Sequence, residues 1–198
     1  MDKDKRKIIL AVTGASGSVY ADRLIESITG QGNEKLVELA VVFSDNAKEI
    51  WKYELGREFN LQQGLKIFAN NDFHAPFASG SSRYDTMIIC PASMGMVGRI
   101  AHGVSDDLIT RAADVMLKER RKLILVPRET PYSLIHLSNM KLLTEAGAII
   151  CPATPSFYSK PQSIDELVMT VVDRVMDLAG IKTNTKRWGE PRNLEPGT

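Results

Sequence analysis

Short apolar runs alternate along this chain with segments in which apolar residues recur at helical spacing. Continuous apolar runs of about four to eight residues are typical of strands that are buried on both faces of a parallel sheet. Such runs occupy residues 8–12, 87–90, 123–126 and 148–151; residues 36–43 form another, interrupted by Glu38, and residues 65–68 are a shorter candidate. Helical periodicity follows residue 18 and covers residues 47–55, 107–118, 133–146 and 163–178. The alternation predicts a single three-layer α/β domain with a mostly parallel sheet.

The first predicted strand ends in a turn that contains two glycines and two serines. Gly14, Ala15 and Ser16 lie in this turn, and a helix is predicted directly after it. Glycines permit close backbone approach, and the free N–H groups of a helix start suit a phosphate. The third glycine of a dinucleotide fingerprint and the Gly-Lys-Ser/Thr of a P-loop are both missing. The alternative interpretation is an ordinary strand–helix turn with a serine cap.

Two further strands end in serine-bearing turns. Ser44 follows the second strand, where it suits a phosphate or a polyol, although capping of the next helix by Ser44 or Asp45 is the simpler role. Residues 93–96 follow the strand at 87–90 and form a second turn with glycine and serine; they are Ser93, Met94, Gly95 and Met96. In an open α/β sheet, ligands bind at the carboxyl ends of the strands. We therefore expect these turns to face one crevice.

Arg128 and Glu129 follow the strand at 123–126 and form the strongest single candidate for a site. A guanidinium can hold a phosphate through two parallel hydrogen bonds, and the neighbouring carboxylate could orient it or handle a proton. The alternative is a surface salt bridge after a core strand, which contributes only about 0 to 1 kcal/mol. We expect every candidate polar group to lie at the carboxyl end of a strand or at a helix that begins nearby.

Four other candidates lie on predicted helices. Arg111 and Lys118 border the apolar face of one helix, where each alone is typical of a solvated helix edge. Arg174 lies among valines on the last helix; either it serves an anion there or it pairs on the surface with Asp173 or Glu166. Glu54, near the end of the helix at 47–55, is only weakly marked.

Composition and charge exclude several classes of protein. The 198 residues suit one domain, and a net charge of +1 gives no electrostatic case for nucleic acid or an anionic membrane. The charged N-terminus is followed by too few apolar residues for a signal peptide or a membrane span, which predicts a cytoplasmic protein. Two cysteines and three histidines without ligand spacing predict neither a metal site nor a disulfide framework. Residues 182–198 are predicted to form a polar tail, which has a role in the protein if Trp188 docks on a neighbouring subunit.

Several linked motifs, taken in order from about residue 8 to 188, closely resemble the UbiX family of flavin prenyltransferases. They are the glycine turn at 14–17, Ala-Ser-Gly-Ser-Ser at 78–82, Arg-Ala-Ala-Asp-Val at 111–115, Leu-Lys-Glu-Arg-Arg at 117–121, Pro-Arg-Glu-Thr-Pro at 127–131, His-Leu-x-Asn-Met at 136–140, and Phe-Tyr-x-x-Pro-Gln-Ser at 157–163. The resemblance implies a Rossmann-like, flavodoxin-like domain at residues 1–181 and a homo-oligomer, usually a dodecamer. It also implies that reduced FMN receives a dimethylallyl unit from dimethylallyl phosphate at N5 and C6. The product, prenylated FMN, is the cofactor of UbiD-type decarboxylases.

The family's functional residues carry over onto matching positions of this chain. The FMN-binding set implied by the resemblance is Gly14, Ala15, Ser16, Ser44, Ser93 to Met96, and Arg128. The set implied for the prenyl phosphate is Lys118, Tyr158 and Arg174, with Arg111 and Trp188 nearby. The catalytic candidates are Ser16, Glu54 and Glu129, the two carboxylates for proton handling or for orienting the basic cluster. A monophosphate donor needs no Mg²⁺ for extra charge, which fits the lack of an aspartate-rich motif.

Two positions depart from the expected pattern. Ala92 stands where many relatives have cysteine, and Met96 stands where threonine is common. Pro-Ala-Ser at 91–93 is similar to a second family, the FMN-dependent cysteine decarboxylases related to phosphopantothenoylcysteine decarboxylase. Their Asn-Thr motif and their histidine near the first helix are missing here. A flavin-binding subunit of an aromatic acid decarboxylase, without chemistry of its own, is the third alternative.

Overall fold

The computed structural model of the protein describes residues 6–30, 37–59 and 65–183. Within these residues one sheet contains six strands: β1 (Arg6–Val12), β2 (Val37–Phe43), β3 (Lys66–Phe68), β4 (Thr86–Ala92), β5 (Lys122–Pro127) and β6 (Ile149–Ile150). Their order across the sheet is β3-β2-β1-β4-β5-β6, and every neighbouring pair is parallel. This is the strand order of the Rossmann fold, and it confirms the predicted fold class.

Six helices connect or flank these strands in the described part of the chain. They are α1 (Ser18–Thr29), α2 (Asp45–Leu55), α3 (Met94–Ala101), α4 (Leu108–Lys118), α5 (Leu134–Glu145) and α6 (Ile164–Ala179). Helix α3 was not predicted, because two glycines weaken its helical signal and its first residues resemble a turn. The other helices lie where the periodicity places them. Among these helices, none is long and apolar enough to cross a membrane.

Alternating residues of each central strand enter two separate cores. On β1, Ile8 and Leu10 pack with α1, α2 and α6, whereas Ile9 and Ala11 pack with α3, α4 and α5. All four side chains are fully buried. Because successive strand residues point to opposite faces, a strand covered by helices on both sides reads as an unbroken apolar run. The helix layers therefore explain the sequence pattern that predicted the sheet.

The carboxyl ends of β1 and β4 mark the crevice of this sheet. From β1 the chain proceeds outward through β2 to β3, and it then returns to place β4 on the other side of β1. Connections on the two sides of this point diverge, so the exit turns of β1 and β4 leave room between them for a ligand. The predicted glycine and serine turns lie at this point.

Candidate functional site

A buried threonine joins the exit turns of β1 and β4. Thr13 Oγ1 donates to the Pro91 carbonyl at 2.7 Å and accepts from the Ser93 backbone N–H at 2.8 Å. On the other side of β1, the Ser44 N–H donates to the Val12 carbonyl at 3.0 Å. Three exit turns are thereby held at fixed positions around one crevice. Thr13 was not singled out from the sequence, because a threonine after a strand carries no special signal.

Replacing Thr13 with valine is expected to lower the free energy of unfolding by about 1–3 kcal/mol, since it leaves the Ser93 N–H without its acceptor. Thr144→Val is the matched control, because Thr144 is exposed and its hydroxyl donates to Met140 O of its own helix. Such a surface change is expected to stay within about 0.5 kcal/mol. Urea denaturation of both variants measures the difference, and equal losses would contradict the joining role of Thr13.

The glycine turn after β1 is closely packed on α2. A Cβ atom at Gly14 would lie 2.9 Å from Asn46 Cβ, so no larger residue fits without displacing the start of α2. Gly17 has a φ of 113°, in the left-handed region that favours glycine, and its Cα faces the Tyr20 ring. Both glycines of the predicted turn are therefore required by geometry. The contact with Asn46 was not predicted, because it joins residues from two different helix starts.

Glu54 occupies the N–H groups at the start of α1. Its carboxylate accepts from the Gly17 N–H at 2.9 Å and from the Ser18 N–H at 2.8 Å. Burial raises the pKa of Glu54, but the Ser16 side chain and these backbone N–H groups hydrogen-bond the carboxylate and lower the pKa below its ordinary value. Glu54 is therefore an anion at neutral pH. A phosphate at this helix start, as the sequence predicted, would have to share or displace this carboxylate.

The turns after β2 and β4 offer different groups to a ligand. Ser44 stands at the N-cap position of α2 without a side-chain capping hydrogen bond, so the predicted capping role was wrong. Ser93 does cap α3, because its hydroxyl accepts from the Met96 N–H at 3.3 Å. The side chains of Met94 and Met96 are buried in the core, whereas Gly95 is exposed. The β4 turn therefore presents backbone, while Ser44 presents a hydroxyl.

Arg128 connects the exit of β5 to the glycine turn. Its Nε donates to the Ser16 carbonyl at 2.9 Å, and its side chain is half-buried. Glu129 accepts from the Thr130 N–H at 3.0 Å, and no ion pair joins it to Arg128 within the described residues. Of the two roles weighed for Glu129, orienting the Arg128 guanidinium therefore has no contact to support it. The crevice now combines a guanidinium, a hydroxyl and exposed backbone, which fits the phosphate and ribityl chain of FMN.

Lys118 lies far from this crevice in the same chain. It ends α4 and precedes β5, whereas Arg128 follows β5, so the two lie at opposite edges of the sheet, about 20 Å apart for six strand residues. Lys118 pairs with Glu119 at 2.5 Å. Arg111, seven positions earlier on α4, donates to the Ala78 carbonyl and pairs with Asp114. The expectation that every candidate lies near the carboxyl ends of the strands was therefore wrong for Lys118.

Arg174 lies on the opposite face of the sheet from Lys118. Helix α6, which carries Arg174, packs in the core of α1 and α2, while α4 packs in the opposite core. Arg174 is exposed beside the buried Val171 and Val175, and its charge lowers the pKa of Cys151 against the larger effect of burial. The sheet therefore lies between the helices that carry Lys118 and Arg174.

The remaining candidates are an exposed tyrosine and a tryptophan in the tail. Tyr158 is 59% exposed in the loop between β6 and α6. Trp188 lies outside the described residues, as does the tail beyond residue 183, so its docking on a neighbour stays a prediction. The described structure thus brings together Gly14, Ser16, Ser44, Glu54, Ser93 and Arg128, and it separates them from Lys118.

A similar fold is found in a PPC decarboxylase. The chain matches a PPC decarboxylase mutant with a TM-score of 0.61 at 16% identity, over 87% of this chain and 99% of that one. Likeness at this identity shows the fold alone. The cysteine decarboxylase alternative therefore gains no support beyond shared architecture.

Much closer similarity exists to another group of flavoproteins. The Flavoprotein family model matches residues 1–176. Flavin prenyltransferase UbiX of Methanocaldococcus jannaschii is 43% identical over 186 residues, which cover 92% of this chain and 98% of that protein. A structure of AnUbiX (PadA1) in complex with FMN and dimethylallyl pyrophosphate has a TM-score of 0.88 and 42% identity, covering 94% of this chain and 98% of that one.

A further similar structure is an oligomer. The dodecameric FMN-dependent UbiX-like decarboxylase from Escherichia coli O157:H7 matches with a TM-score of 0.86 and 38% identity, over 93% of this chain and 100% of that one. The similarity in sequence and in structure therefore covers nearly the whole length of this chain and of each protein compared with it. The protein belongs to the Flavoprotein family and, within it, to the UbiX flavin prenyltransferases.

Proposed function

We propose that this protein transfers a dimethylallyl group from dimethylallyl phosphate to N5 and C6 of reduced FMN. The product is prenylated FMN, which a UbiD-type decarboxylase uses as its cofactor. The observation that carries the proposal is the crevice between β1 and β4, which is lined by Ser44, Arg128 and exposed backbone. The chain that forms this crevice is over 40% identical to flavin prenyltransferases. A cytoplasmic location is part of the proposal, and the two cysteines are free thiols there.

The FMN-binding part of the proposal rests on the crevice itself. Arg128 supplies a charge for the flavin phosphate, and Ser44 supplies a hydroxyl that does not cap its helix. Gly14 and Ala15 keep the backbone close to the flavin, and the turn from Ser93 to Met96 contributes its N-terminal backbone. The bound, reduced flavin supplies the nucleophilic positions of the reaction.

The donor-binding part assigns Lys118, Tyr158 and Arg174 to the phosphate of dimethylallyl phosphate, with Arg111 beside Lys118. In the transfer, the allylic carbon–oxygen bond breaks and its electron pair leaves with the phosphate. Cationic and hydroxyl donors aimed at the departing oxygens stabilise that charge. Substitution at N5 releases a proton.

Ring closure at C6 needs both a proton donor and a proton acceptor in the site. It adds a proton to the prenyl double bond and removes one from C6. Glu54, which the Ser16 side chain and two backbone N–H groups hold in place, is one candidate for these transfers, and Glu129 is the other.

The proposed site takes residues from more than one copy of the chain. A second copy must supply either Lys118 or Arg174, because they lie on opposite faces of one sheet. Large apolar side chains are exposed at the exits of β5 and β6, where that copy would pack: Leu134 is 79%, Ile135 70%, Phe157 71% and Ile164 81% exposed. Exposed apolar groups of this kind mark interaction surfaces. We propose a dodecamer, the assembly of the related structure from Escherichia coli O157:H7.

Incubating the purified protein with FMN, a reductant and dimethylallyl phosphate is expected to yield a flavin heavier by one five-carbon unit, which mass spectrometry detects. A parallel incubation with a cysteinyl substrate tests the cysteine decarboxylase alternative through CO₂ release. If the flavin is bound and reduced but its mass stays unchanged, this protein is not a prenyltransferase for this donor.

A further inference from the structure

Arg111, Lys118 and Arg121 all contact one loop next to the end of α4. The serine loop, residues 78–82, connects the 3₁₀ turn at Pro76–Ala78 to the segment that leads into β4. Arg111 Nε donates to the Ala78 carbonyl at 3.0 Å. The Arg121 guanidinium donates to the Gly80 carbonyl at 2.5 Å and to the Tyr84 carbonyl at 3.0 Å. Arg121 is therefore a clamp that joins the middle of the serine loop to its exit.

The exit of the serine loop is fixed to the sheet. Tyr84 is 2% exposed, and its hydroxyl donates to Glu38 Oε1 at 3.0 Å. Glu38 on β2 also pairs with Lys7 on β1 and Lys66 on β3. Burial raises the pKa of Tyr84, and the charge and hydrogen bond of Glu38 raise it further, so Tyr84 stays a neutral donor. Arg121 thus ties Gly80 to a point that three strands hold in place.

The position of Gly80 decides where the Lys118 ammonium lies. A Cβ atom at Gly80 would lie 2.8 Å from Lys118 Nζ and closer still to a Glu119 oxygen, so these two side chains pack directly on the glycine backbone. On the same loop, the exposed hydroxyls of Ser79 and Ser81 lie 3.0 Å apart. A shift of the loop at Gly80 would move the ammonium and these hydroxyls together.

We propose that Arg121 is a positioning residue for the prenyl donor: it holds the serine loop in the shape that places Lys118 and the two serine hydroxyls for the donor phosphate. This inference rests on the proposed function of Lys118. Arg121 acts through Gly80 and Tyr84, because its guanidinium is directed at two carbonyl groups rather than at the phosphate. Its planar fork fits this task, since two donors in fixed geometry can hold two acceptors at once.

The test measures donor binding separately from flavin binding. Calorimetric titration of dimethylallyl phosphate into the FMN-loaded protein gives donor affinity, and FMN titration gives flavin affinity. Arg121→Ala is expected to weaken donor binding on the order of tenfold or more, because small misplacements of binding groups are costly. FMN affinity is expected to remain within about twofold, since the flavin groups lie at the other edge of the sheet.

Three variants separate positioning from charge and from folding. Arg120→Ala removes the same charge from the adjacent exposed residue and is expected to leave donor affinity unchanged. Arg121→Lys retains the charge but loses the fork, and it is expected to behave as Arg121→Ala does. Gly80→Ala meets only the flexible ends of Lys118 and Glu119, so it is expected to fold normally and still weaken donor binding.

The possible results are clearly distinct. Full donor affinity in Arg121→Ala, or its recovery in Arg121→Lys, would overturn the inference, the second because it would make Arg121 a charge contact. Normal donor affinity in Gly80→Ala would overturn it too, since the loop would then not place Lys118. A wild-type protein that binds donor but forms no heavier flavin would contradict the proposed function instead, while leaving the binding comparison intact.

Discussion

Arg174→Ala is expected to reduce prenyl transfer about 10²- to 10³-fold while FMN stays bound and the fold stays intact, which is the scale for removing one charge-stabilising donor. Arg174 is exposed on α6, beside valines that are buried. Its charge reaches the exit of β6, where it lowers the pKa of Cys151 against burial. A basic group beside that exit suits a departing phosphate.

The simpler interpretation of Arg174 is a surface charge, with a loss on replacement of only about 0.5 kcal/mol in stability. Turnover at saturating flavin and subsaturating dimethylallyl phosphate distinguishes the two. Lys141→Ala is a suitable control, because Lys141 is an exposed helix cation that pairs with Glu145 across one turn. Wild-type turnover in Arg174→Ala would mean that the donor phosphate binds elsewhere.

Mixed oligomers of Lys118→Ala and Arg174→Ala are expected to recover about a quarter of wild-type turnover, although each variant alone loses about 10²- to 10³-fold. The reason is topological. Lys118 ends α4 on one face of the sheet, and Arg174 lies on α6 on the other face, so we propose that one donor phosphate contacts the two side chains from different copies. In a random mixture, about one site in four receives both intact side chains.

Co-expression of the two variants with different tags, followed by purification through both tags, isolates these mixed oligomers. Oligomers of each variant alone, mixed after purification, provide the control for subunit exchange. Turnover of the mixed oligomers no greater than that of the single variants would show that both side chains belong to one chain's site or that one of them is not in the site. That outcome would remove the inter-subunit part of the proposal without affecting the assignment of FMN to the crevice.

The sequence by itself determined the architecture and the exit turns. Apolar runs located the strands because a strand buried on both faces needs an apolar residue at every position. Helical periodicity located all helices except α3, whose glycines weaken the signal. In open α/β sheets, ligand-binding groups lie at the carboxyl ends of the strands. This property predicted the binding turns at Gly14, Ser44, Ser93 and Arg128. Linked motifs identified the family.

Only the tertiary structure decided which distant groups meet. The sequence carried only a weak signal for a role of Glu54. In the structure its carboxylate accepts hydrogen bonds from two N–H groups at the start of α1, because α2 packs on the glycine turn. Thr13 and Arg121 act through contacts with residues about 80 and 40 positions away, which no local pattern encodes. Lys118 was expected near Arg128, but a helix that feeds a parallel strand ends at the opposite edge of the sheet. Local sequence reports how each residue is buried, whereas the path of the chain between elements decides which edge and which face it reaches.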